Sequence, residues 1–277
     1  MSFESEGLGL PTGPLGLIRS LIHERTGVFF DDSRCDTLAD RLAPRVIERG
    51  FDSLLDYYYL LKYDEGASDE WGSVMDALAV PETYFWREIE QLEVVARIVV
   101  PRVLAAKPQA VVWSVPCASG EEPLTLAMLL DRAGLLAGGR VALRAADASP
   151  AAVRAAERGV YRERSFRALP GEMRDRYFTR EGEAWRADRA LVERIEWSTV
   201  NLMSEADTLR LSGADVIVCR NVFIYFSDAS MKKVVETFAD RMATPGYLAV
   251  GASESLLRVT RRFDLEEIGG SYNYDNR

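Results

Sequence analysis

The sequence predicts an α/β protein in which a small all-helical N-terminal domain precedes a doubly wound, mostly parallel β-sheet with a small β insertion. Residues 12–80 place apolar side chains at helical spacing, whereas after residue 110 apolar strands alternate with helices. We expect the helical domain at 1–80, a linker and connecting helix at 81–106, and the sheet domain at 107–277, with the insertion at 165–195.

Composition is that of an ordinary globular protein, with 277 residues of which 48% are hydrophobic and 28% charged. No apolar run approaches the roughly 20 residues that span a bilayer, and the N-terminus lacks the basic region and apolar core of a signal peptide. Cys35, Cys117 and Cys219 are too far apart to suggest a disulfide framework or a metal cluster. We expect a cytoplasmic protein with no membrane insertion and no metal site.

Charge and histidine content narrow the class of function. Residues 1–80 carry 15 acidic against 7 basic residues, a net charge of −8, and the remainder has a net charge of −1. This split supports a separate N-terminal module and argues against a nucleic-acid partner, which favours a basic surface. The single histidine, His23, lies in a segment typical of an amphipathic helix. Ser-His-Asp and Cys-His catalysis need an imidazole, so any enzymatic chemistry here should not depend on histidine.

The N-terminal domain is predicted to contain helices at 14–25, 35–49, 53–63 and 69–79. In the second of these helices Arg41, Arg45 and Arg49 are spaced four residues apart and form a basic ridge. The ridge is either a functional surface or a solvated face paired with nearby carboxylates such as Glu48, and both interpretations stay open. Pro44 lies inside the same helix and predicts a kink or a break.

The C-terminal domain is predicted from alternating strands and helices, which indicate a parallel sheet covered by helices. The predicted strands are 111–115, 141–146, 195–200, 216–219 and 247–251, and the predicted helices are 122–130, 150–157 and 229–242. The last apolar segments indicate a final strand or an antiparallel hairpin. Turn residues in the insertion flank stretches that could pair as a small hairpin.

The segment before this domain places three aromatic residues, Tyr84, Phe85 and Trp86, between Thr83 and Arg87. The aromatics could serve only to pack an interface. The threonine and the arginine, four residues apart, could equally hold a ligand. Composition does not decide between the two.

The turn after the first strand predicts a cofactor site. It lacks the GxGxxG pattern that lets a pyrophosphate approach the backbone, which makes a nicotinamide dinucleotide unsuitable. Gly120 is followed by Glu121 and Glu122, which suit a cofactor that has no phosphate and carries a positive sulfonium and amine, as S-adenosylmethionine does. The alternative is a capping box in which Ser119 and Glu122 cap the helix that follows; both could hold, with one glutamate capping and the other facing the ligand.

Asp147 ends the second predicted strand, where a carboxylate can accept hydrogen bonds from both ribose hydroxyls. The competing interpretation is a carboxylate at the start of the next helix. We favour the ribose because Ser149 could provide the cap instead.

Several motifs together resemble the chemotaxis receptor methyltransferases, the CheR family. They are Tyr84-Phe85-Trp86-Arg87 after a threonine, Gly120-Glu121-Glu122-Pro123, Gly159-Val160-Tyr161, Asn201-Leu202, Cys219-Arg220-Asn221-Val222-Phe223-Ile224-Tyr225-Phe226 and Gly251-Ala252-Ser253-Glu254-Ser255-Leu256. They occur in the family's order along essentially the whole chain. The resemblance implies a class I methyltransferase-like fold and methyl transfer from S-adenosylmethionine to glutamates on the helical bundle of a chemoreceptor, with S-adenosylhomocysteine as product.

The resemblance also implies roles for individual residues. Arg87 and Tyr225 would lie nearest the transferred methyl group, with a structural ion pair and core packing as their respective alternatives. The partner would be a methyl-accepting chemoreceptor or a similar coiled-coil signalling protein, and we expect a monomer. The residues that would line the cofactor are Thr83, Arg87, Glu122, Asp147, Asn201, Leu202, Asn221 and Val222.

Three departures from the family pattern bear on function. Pro81 stands where the family usually has an asparagine, Leu124 replaces a usual tyrosine, and the insertion at 165–195 is short for a subdomain that docks a receptor tail in some members. They keep two alternatives open: the same chemistry on a non-chemotaxis signalling partner, and a non-catalytic module that binds S-adenosylmethionine or its product.

Overall fold

A computed structural model describes residues 13–64, 66–80 and 82–276. The chain divides into two compact units, Met1–Ala79 and Val80–Arg277.

The N-terminal unit is all-helical, as predicted. Its helices bury an apolar core that includes Ile22, Leu42, Tyr57 and Val74. Of the predicted kink or break at Pro44, the break does not occur, because the second helix continues through this residue. Within the described part of this unit the α-helices are α1 (Pro14–Thr26), α2 (Cys35–Glu48), α3 (Leu54–Tyr63) and α4 (Ala67–Leu78).

The arginine ridge on α2 is held by contacts inside this unit. Arg45 binds Glu70 of α4, with Nη2 2.7 Å from Oε2, and Arg49 reaches the same carboxylate at 3.4 Å. The Tyr57 hydroxyl donates to Glu70 Oε1 at 2.6 Å. Arg45 also pairs with Glu48. Two of the three arginines therefore form ion pairs within their own unit.

The C-terminal unit contains the predicted doubly wound sheet. The strand order is β6-β2-β1-β7-β8-β10-β9, with the first five strands parallel and β10 antiparallel to both of its neighbours. Each of the five predicted strands begins and ends within one residue of its observed bounds. The strands of this sheet are β1 (Ala110–Ser114), β2 (Val141–Asp147), β6 (Ile195–Thr199), β7 (Val216–Cys219), β8 (Gly246–Val250), β9 (Asp264–Ile268) and β10 (Ser271–Asn276).

Helices cover both faces of this sheet. Successive side chains of a strand point to opposite faces, so neighbouring residues of one strand pack against different helices. In β1, Val112 packs into one apolar cluster together with Leu124, whereas Trp113 packs into a second cluster with Phe238. No helix among the described residues is long and apolar enough to cross a membrane. The helices are α5 (Ile89–Val94), α6 (Val100–Ala106), α7 (Glu121–Arg132), α8 (Pro150–Arg158), α9 (Gly171–Tyr177), α10 (Arg189–Val192), α11 (Glu205–Thr208) and α12 (Asp228–Arg241), with a π-helical segment, Val95–Val99, joining α5 to α6.

The predicted insertion at 165–195 supplies two strands of a second, three-stranded sheet, whose first strand precedes those bounds. Its strands β3 (Val160–Arg162), β4 (Phe178–Glu181) and β5 (Ala184–Ala187) are antiparallel in the order β3-β5-β4, and β4 and β5 make the predicted hairpin. Phe85 is fully buried against this subdomain, with its ring centroid 4.7 Å from that of Tyr161 and 4.9 Å from that of Phe178. Phe85 is therefore a packing residue.

Candidate functional site

The candidate site lies at the carboxyl edge of the large sheet, where the strand order reverses around β1. In open α/β sheets this is where a ligand-binding crevice forms. The glycine turn follows β1, Asp147 ends β2, Asn201 follows β6 and Asn221 follows β7. Parallel pairing of these strands brings the predicted residues to the same edge.

Unusual backbone conformations are concentrated here. Within the described residues, four that are not glycine have positive φ: Trp86 at 71°, Glu88 at 47°, Ala118 at 46° and Asn221 at 60°. All four lie in loops at this edge of the sheet. Such conformations cost about 1–3 kcal/mol each and persist only where the surroundings hold them, which is typical of ligand-binding sites.

Arg220 joins three of these segments. Its side chain is 1% exposed. Its Nη1 donates to Glu122 Oε2 at 3.2 Å, and its Nη2 donates to the Arg87 carbonyl at 2.9 Å and to Glu88 Oε2 at 3.1 Å. Sequence reasoning did not single out Arg220. The available signal was its position directly after a buried strand, where a charge must be paired.

Glu88 was also missed, and its carboxylate is bonded to two other loops. Oε2 accepts from the Ala252 backbone N–H at 3.1 Å as well as from Arg220, and Oε1 accepts from Asn221 Nδ2 at 3.3 Å. Desolvation favours the protonated form, but Arg220 and these hydrogen bonds outweigh it and lower the pKa of Glu88. Glu88 is therefore held as a carboxylate, which links the segment carrying Arg87 to the end of β7.

The two glutamates of the glycine turn have different surroundings. Glu121 is buried and accepts hydrogen bonds from Ser119 Oγ at 2.7 Å and Ser165 Oγ at 3.0 Å. Glu122 accepts from Ser114 Oγ at 2.8 Å and from Arg220. Burial raises the pKa of both glutamates, although the arginine and hydroxyl donors act against this. Of the two, Glu122 shares Arg220 with the rest of the site.

The predicted capping box does not form. The N-cap of α7 is Gly120 at φ 98°, and Ser119 donates to Glu121. A Cβ on Gly120 would lie 2.8 Å from Ala156 Cβ and 2.9 Å from the Tyr161 hydroxyl, so this turn runs too close to its neighbours for any side chain. The left-handed conformation at the N-cap position favours glycine. Because glycine has no side chain, it cannot cap the helix as a serine would.

Asp147 lies at the tip of β2, and Ser149 rather than Asp147 caps the next helix. Asp147 Oδ2 accepts from the Ala118 backbone N–H and Oδ1 from the Ser149 N–H, each at 2.9 Å. Ser149 Oγ accepts from the Ala152 N–H at 3.0 Å. A carboxylate at the end of β2 is the type of group that can accept hydrogen bonds from a vicinal diol.

The residues after β6 and β7 form an apolar wall with polar turns. Leu202 and Val222 pack into the same apolar cluster. Asn201 Oδ1 accepts from the Met203 N–H at 3.0 Å. Beyond β7, buried Glu254 accepts from the backbone N–H groups of Asn221 and Phe223, at 2.8 and 2.7 Å. Glu254, which sequence reasoning left without a role, therefore fixes the turn that presents Asn221 and Val222.

Thr83, Arg87 and Tyr225 are all partly exposed at this edge. Arg87 Nη1 donates to the Glu82 carbonyl at 3.0 Å, and its Nε lies 3.8 Å from Glu88 Oε1, which is a loose ion pair. Tyr225 ends the short 3₁₀ turn Phe223–Tyr225, in which Phe223 rather than Tyr225 is the buried residue. Pro81 lies outside the described residues, and Leu124 is fully buried in α7.

The donor set fits S-adenosylmethionine. Glu122 is a carboxylate that could bind a cationic group, Asp147 could accept from a diol, and Leu202 with Val222 could pack against a purine. Arg220 Nε is buried without a hydrogen-bond partner among the described residues, so the site retains an unused donor. No group of three or more potential metal-ligating side chains occurs in the described ranges.

Comparison with known proteins agrees with these observations. Residues 81–270 match the family model "CheR methyltransferase, SAM binding domain", and residues 15–79 match "CheR methyltransferase, all-alpha domain". The chain is 31% identical over 260 residues to chemotaxis protein methyltransferase 2 of Vibrio cholerae, covering 92% of this chain and 90% of that protein. It is 29% identical over 266 residues to the chemotaxis protein methyltransferase of Escherichia coli, covering 94% and 91%.

A third relative has a different setting. The probable biofilm formation methyltransferase WspC of Pseudomonas putida is 30% identical over 238 residues, which cover 85% of this chain and 55% of WspC. Together the matches confirm the predicted family and S-adenosylmethionine as the cofactor.

Proposed function

This chain belongs to the CheR methyltransferase family, and we propose that it methyl-esterifies glutamate side chains of a chemoreceptor-like signalling protein. The observation that carries the proposal is the joining of the motif loops by buried Arg220, which bonds the Arg87–Glu88 segment to Glu122. The names of the chemotaxis relatives support the choice of a chemoreceptor as acceptor.

The chain's own residues can hold the cofactor in a defined way. Glu122 would bind its cationic amine, Asp147 its ribose hydroxyls, and Asn201-Leu202 with Asn221-Val222 would flank its adenine. Thr83 and Arg87 would close the methionine side. When bound, S-adenosylmethionine supplies an electrophilic methyl group on a sulfonium.

The acceptor needs no general base. A glutamate side chain has an unperturbed pKa of about 4.3, so at neutral pH it is already the nucleophilic carboxylate. The chain's single histidine lies in α1 of the other unit, in keeping with chemistry that does not use imidazole. The task of the protein is orientation and exclusion of water, which can contribute roughly 7–11 kcal/mol in well-aligned reactions.

Arg87 and Tyr225 are suited to that orientation. A guanidinium fork and a phenol can both donate to one carboxylate oxygen and leave the other free to attack. Both side chains are partly exposed at the site edge, and neither is committed to a close ion pair or to the core.

Labelling with radioactive cofactor tests this function. The wild type incubated with a chemoreceptor cytoplasmic fragment should form a base-labile methyl ester, because esters of glutamate hydrolyse in alkali. Arg87→Ala should slow labelling by about 100-fold, the loss expected when a reactant is misplaced by about 1 Å, and Tyr225→Phe should slow it less. Equal labelling by wild type and variants would contradict the assigned roles. Cofactor binding without any ester would favour a non-catalytic regulatory module.

The WspC relative supports a second candidate, the same chemistry on a signalling protein outside chemotaxis. Capture of the acceptor from a lysate with the product-bound enzyme distinguishes the two. Recovery of a chemotaxis receptor would exclude this second candidate.

A further inference from the structure

Tyr84 lies between two arginines at the edge of the site. The Arg167 guanidinium carbon is 3.7 Å from the centroid of the Tyr84 ring, and that of Arg87 is 5.9 Å from the same centroid. An arginine within about 6 Å of an aromatic face is attracted to it. Arg167 is therefore held on the ring that also contacts Arg87, although it lies 80 positions further along the chain than Arg87.

The segment that carries Arg167 is fixed to the cofactor turn. It follows a short 3₁₀ helix, Glu163–Phe166. The Phe85 backbone N–H donates to the Ser165 carbonyl at 2.9 Å, and Ser165 Oγ donates to Glu121 at 3.0 Å. These hydrogen bonds hold the segment that carries Arg164 and Arg167 in place beside the site.

Arg164 and Arg167 are both exposed. Among the described residues Arg164 forms no salt bridge. Arg167, whose side chain is 43% exposed, pairs with Glu82, which is 66% exposed. One guanidinium fork, that of Arg87, is enough to orient the carboxylate that is methylated. The chain as a whole has a net charge of −9, so exposed arginines beside the site are the side chains there that suit an acidic partner.

We propose that Arg164 and Arg167 form an arginine patch that docks the acceptor by binding acidic side chains that flank the methylated glutamate. The proposal rests on the proposed function and adds a requirement on the acceptor: it must carry carboxylates within about one helical turn of the target. Charge complementarity of this kind selects the partner and raises the association rate.

Glu82 supplies the carboxylate that an acceptor would replace. Its pair with Arg167 is exposed, and exposed pairs contribute little, so exchange for an acceptor carboxylate is easy. Glu82→Gln should therefore lower the KM for the acceptor, because Arg167 then keeps its stacking on Tyr84 but loses its internal partner. The contact between Arg87 and Glu82 uses the Glu82 backbone carbonyl and is retained in this variant.

The test uses two forms of a chemoreceptor cytoplasmic fragment: the acidic form, and a neutralised form in which carboxylates within one turn of the target glutamate are changed to Gln. With the acidic fragment, Arg167→Gln should raise the acceptor KM about two- to five-fold, and the Arg164→Gln/Arg167→Gln double variant should raise it more. With the neutralised fragment, wild type and variants should have the same KM. The Kd for S-adenosylhomocysteine, measured by calorimetry, should not change in any variant.

Arg176→Gln is the matched control. Arg176 is an exposed arginine of the same unit whose partner, Asp131, lies near the far end of α7 from the glycine turn. Equal KM values for Arg167→Gln and Arg176→Gln on the acidic fragment would overturn the arginine patch and leave the proposed function intact. Absence of labelling by the wild type would overturn the proposed function, and the patch with it.

Discussion

Two clusters of carboxylate and arginine, one in each unit, differ in the balance of their charges. In the N-terminal unit, Glu70 is 5% exposed and takes hydrogen bonds from Arg45 and Tyr57, with Arg49 close by. Burial disfavours its charge, but these donors prevail and lower the pKa of Glu70. All of these residues except Arg49, which caps α2, lie inside the regular helices α2, α3 and α4.

In the C-terminal unit, Arg220 is shared by Glu88 and Glu122, and the segments involved include left-handed backbone at Glu88 and Asn221. One arginine does not compensate two carboxylates, and burial raises the pKa of Glu122. A buried ion pair by itself therefore does not indicate a ligand-binding site. The Glu70 cluster is paired within its own helices, whereas we propose that a cationic ligand completes the Arg220 cluster, in which one arginine faces two carboxylates.

The largest expected effect separates the two clusters by stability. Glu70→Ala should reduce the free energy of unfolding by about 3 kcal/mol, the low end for a broken buried ion pair, because Arg45 is partly exposed. Urea denaturation of the full chain measures this. The control is Glu48→Ala, which removes an exposed partner of the same arginine and should cost less than about 1 kcal/mol. An unchanged affinity for S-adenosylhomocysteine is expected in both variants.

A second variant tests the other cluster. Glu88→Gln should weaken S-adenosylhomocysteine binding by about 10- to 100-fold, because the Glu88 carboxylate accepts from Arg220, Asn221 and the Ala252 N–H, and an amide NH₂ cannot accept. Calorimetric titration measures the loss. Glu93→Gln, on exposed helix surface, is the control. If Glu88→Gln binds as tightly as the wild type, the Glu88 contacts do not position the site.

The smallest expected effect is a pH dependence that differs between the clusters. Burial raises the pKa of Glu122, so as the pH is lowered this carboxylate is protonated at a higher pH than an ordinary glutamate. Its loss of charge should weaken binding of the cofactor amine several-fold. Glu122→Gln should remove this dependence in a calorimetric pH series.

The sign for stability is opposite in the two clusters. A raised pKa means that folded Glu122 binds its proton more tightly, so its contribution to stability falls as the pH rises through that pKa. The lowered pKa of Glu70 contributes stability above its unfolded value, which is lost as the pH falls toward the folded pKa. As the pH is lowered, the affinity for the cofactor should therefore fall first, and the stability of the N-terminal unit should fall only at a lower pH. A coincident loss of both would contradict the comparison.

Much of the fold was predictable because local patterns encode it. The five parallel strands were located within one residue, since runs of β-branched residues buried on both faces differ clearly from amphipathic helices. The break, one of the two outcomes predicted at Pro44, does not occur, and the alternative of a capping box at Ser119 is wrong. In both cases packing around the segment overrode a local preference: α2 continues through its proline, and Gly120 takes the N-cap position.

The order of strands and helices, the acidic glycine turn, the lack of a dinucleotide motif and the family can all be read from the amino-acid sequence alone. These features depend on residue type and short spacing. The tertiary structure is needed to show that Glu122, and not Glu121, binds Arg220. It is also needed to show that Glu88 and Glu254 bind the residues that follow β7. Arg220 and the Arg87 carbonyl that it binds are 133 positions apart, and no local pattern records a pairing over that distance. The acidic turn that the sequence predicts as a ligand site is thus bound by Arg220, which follows a strand far along the chain.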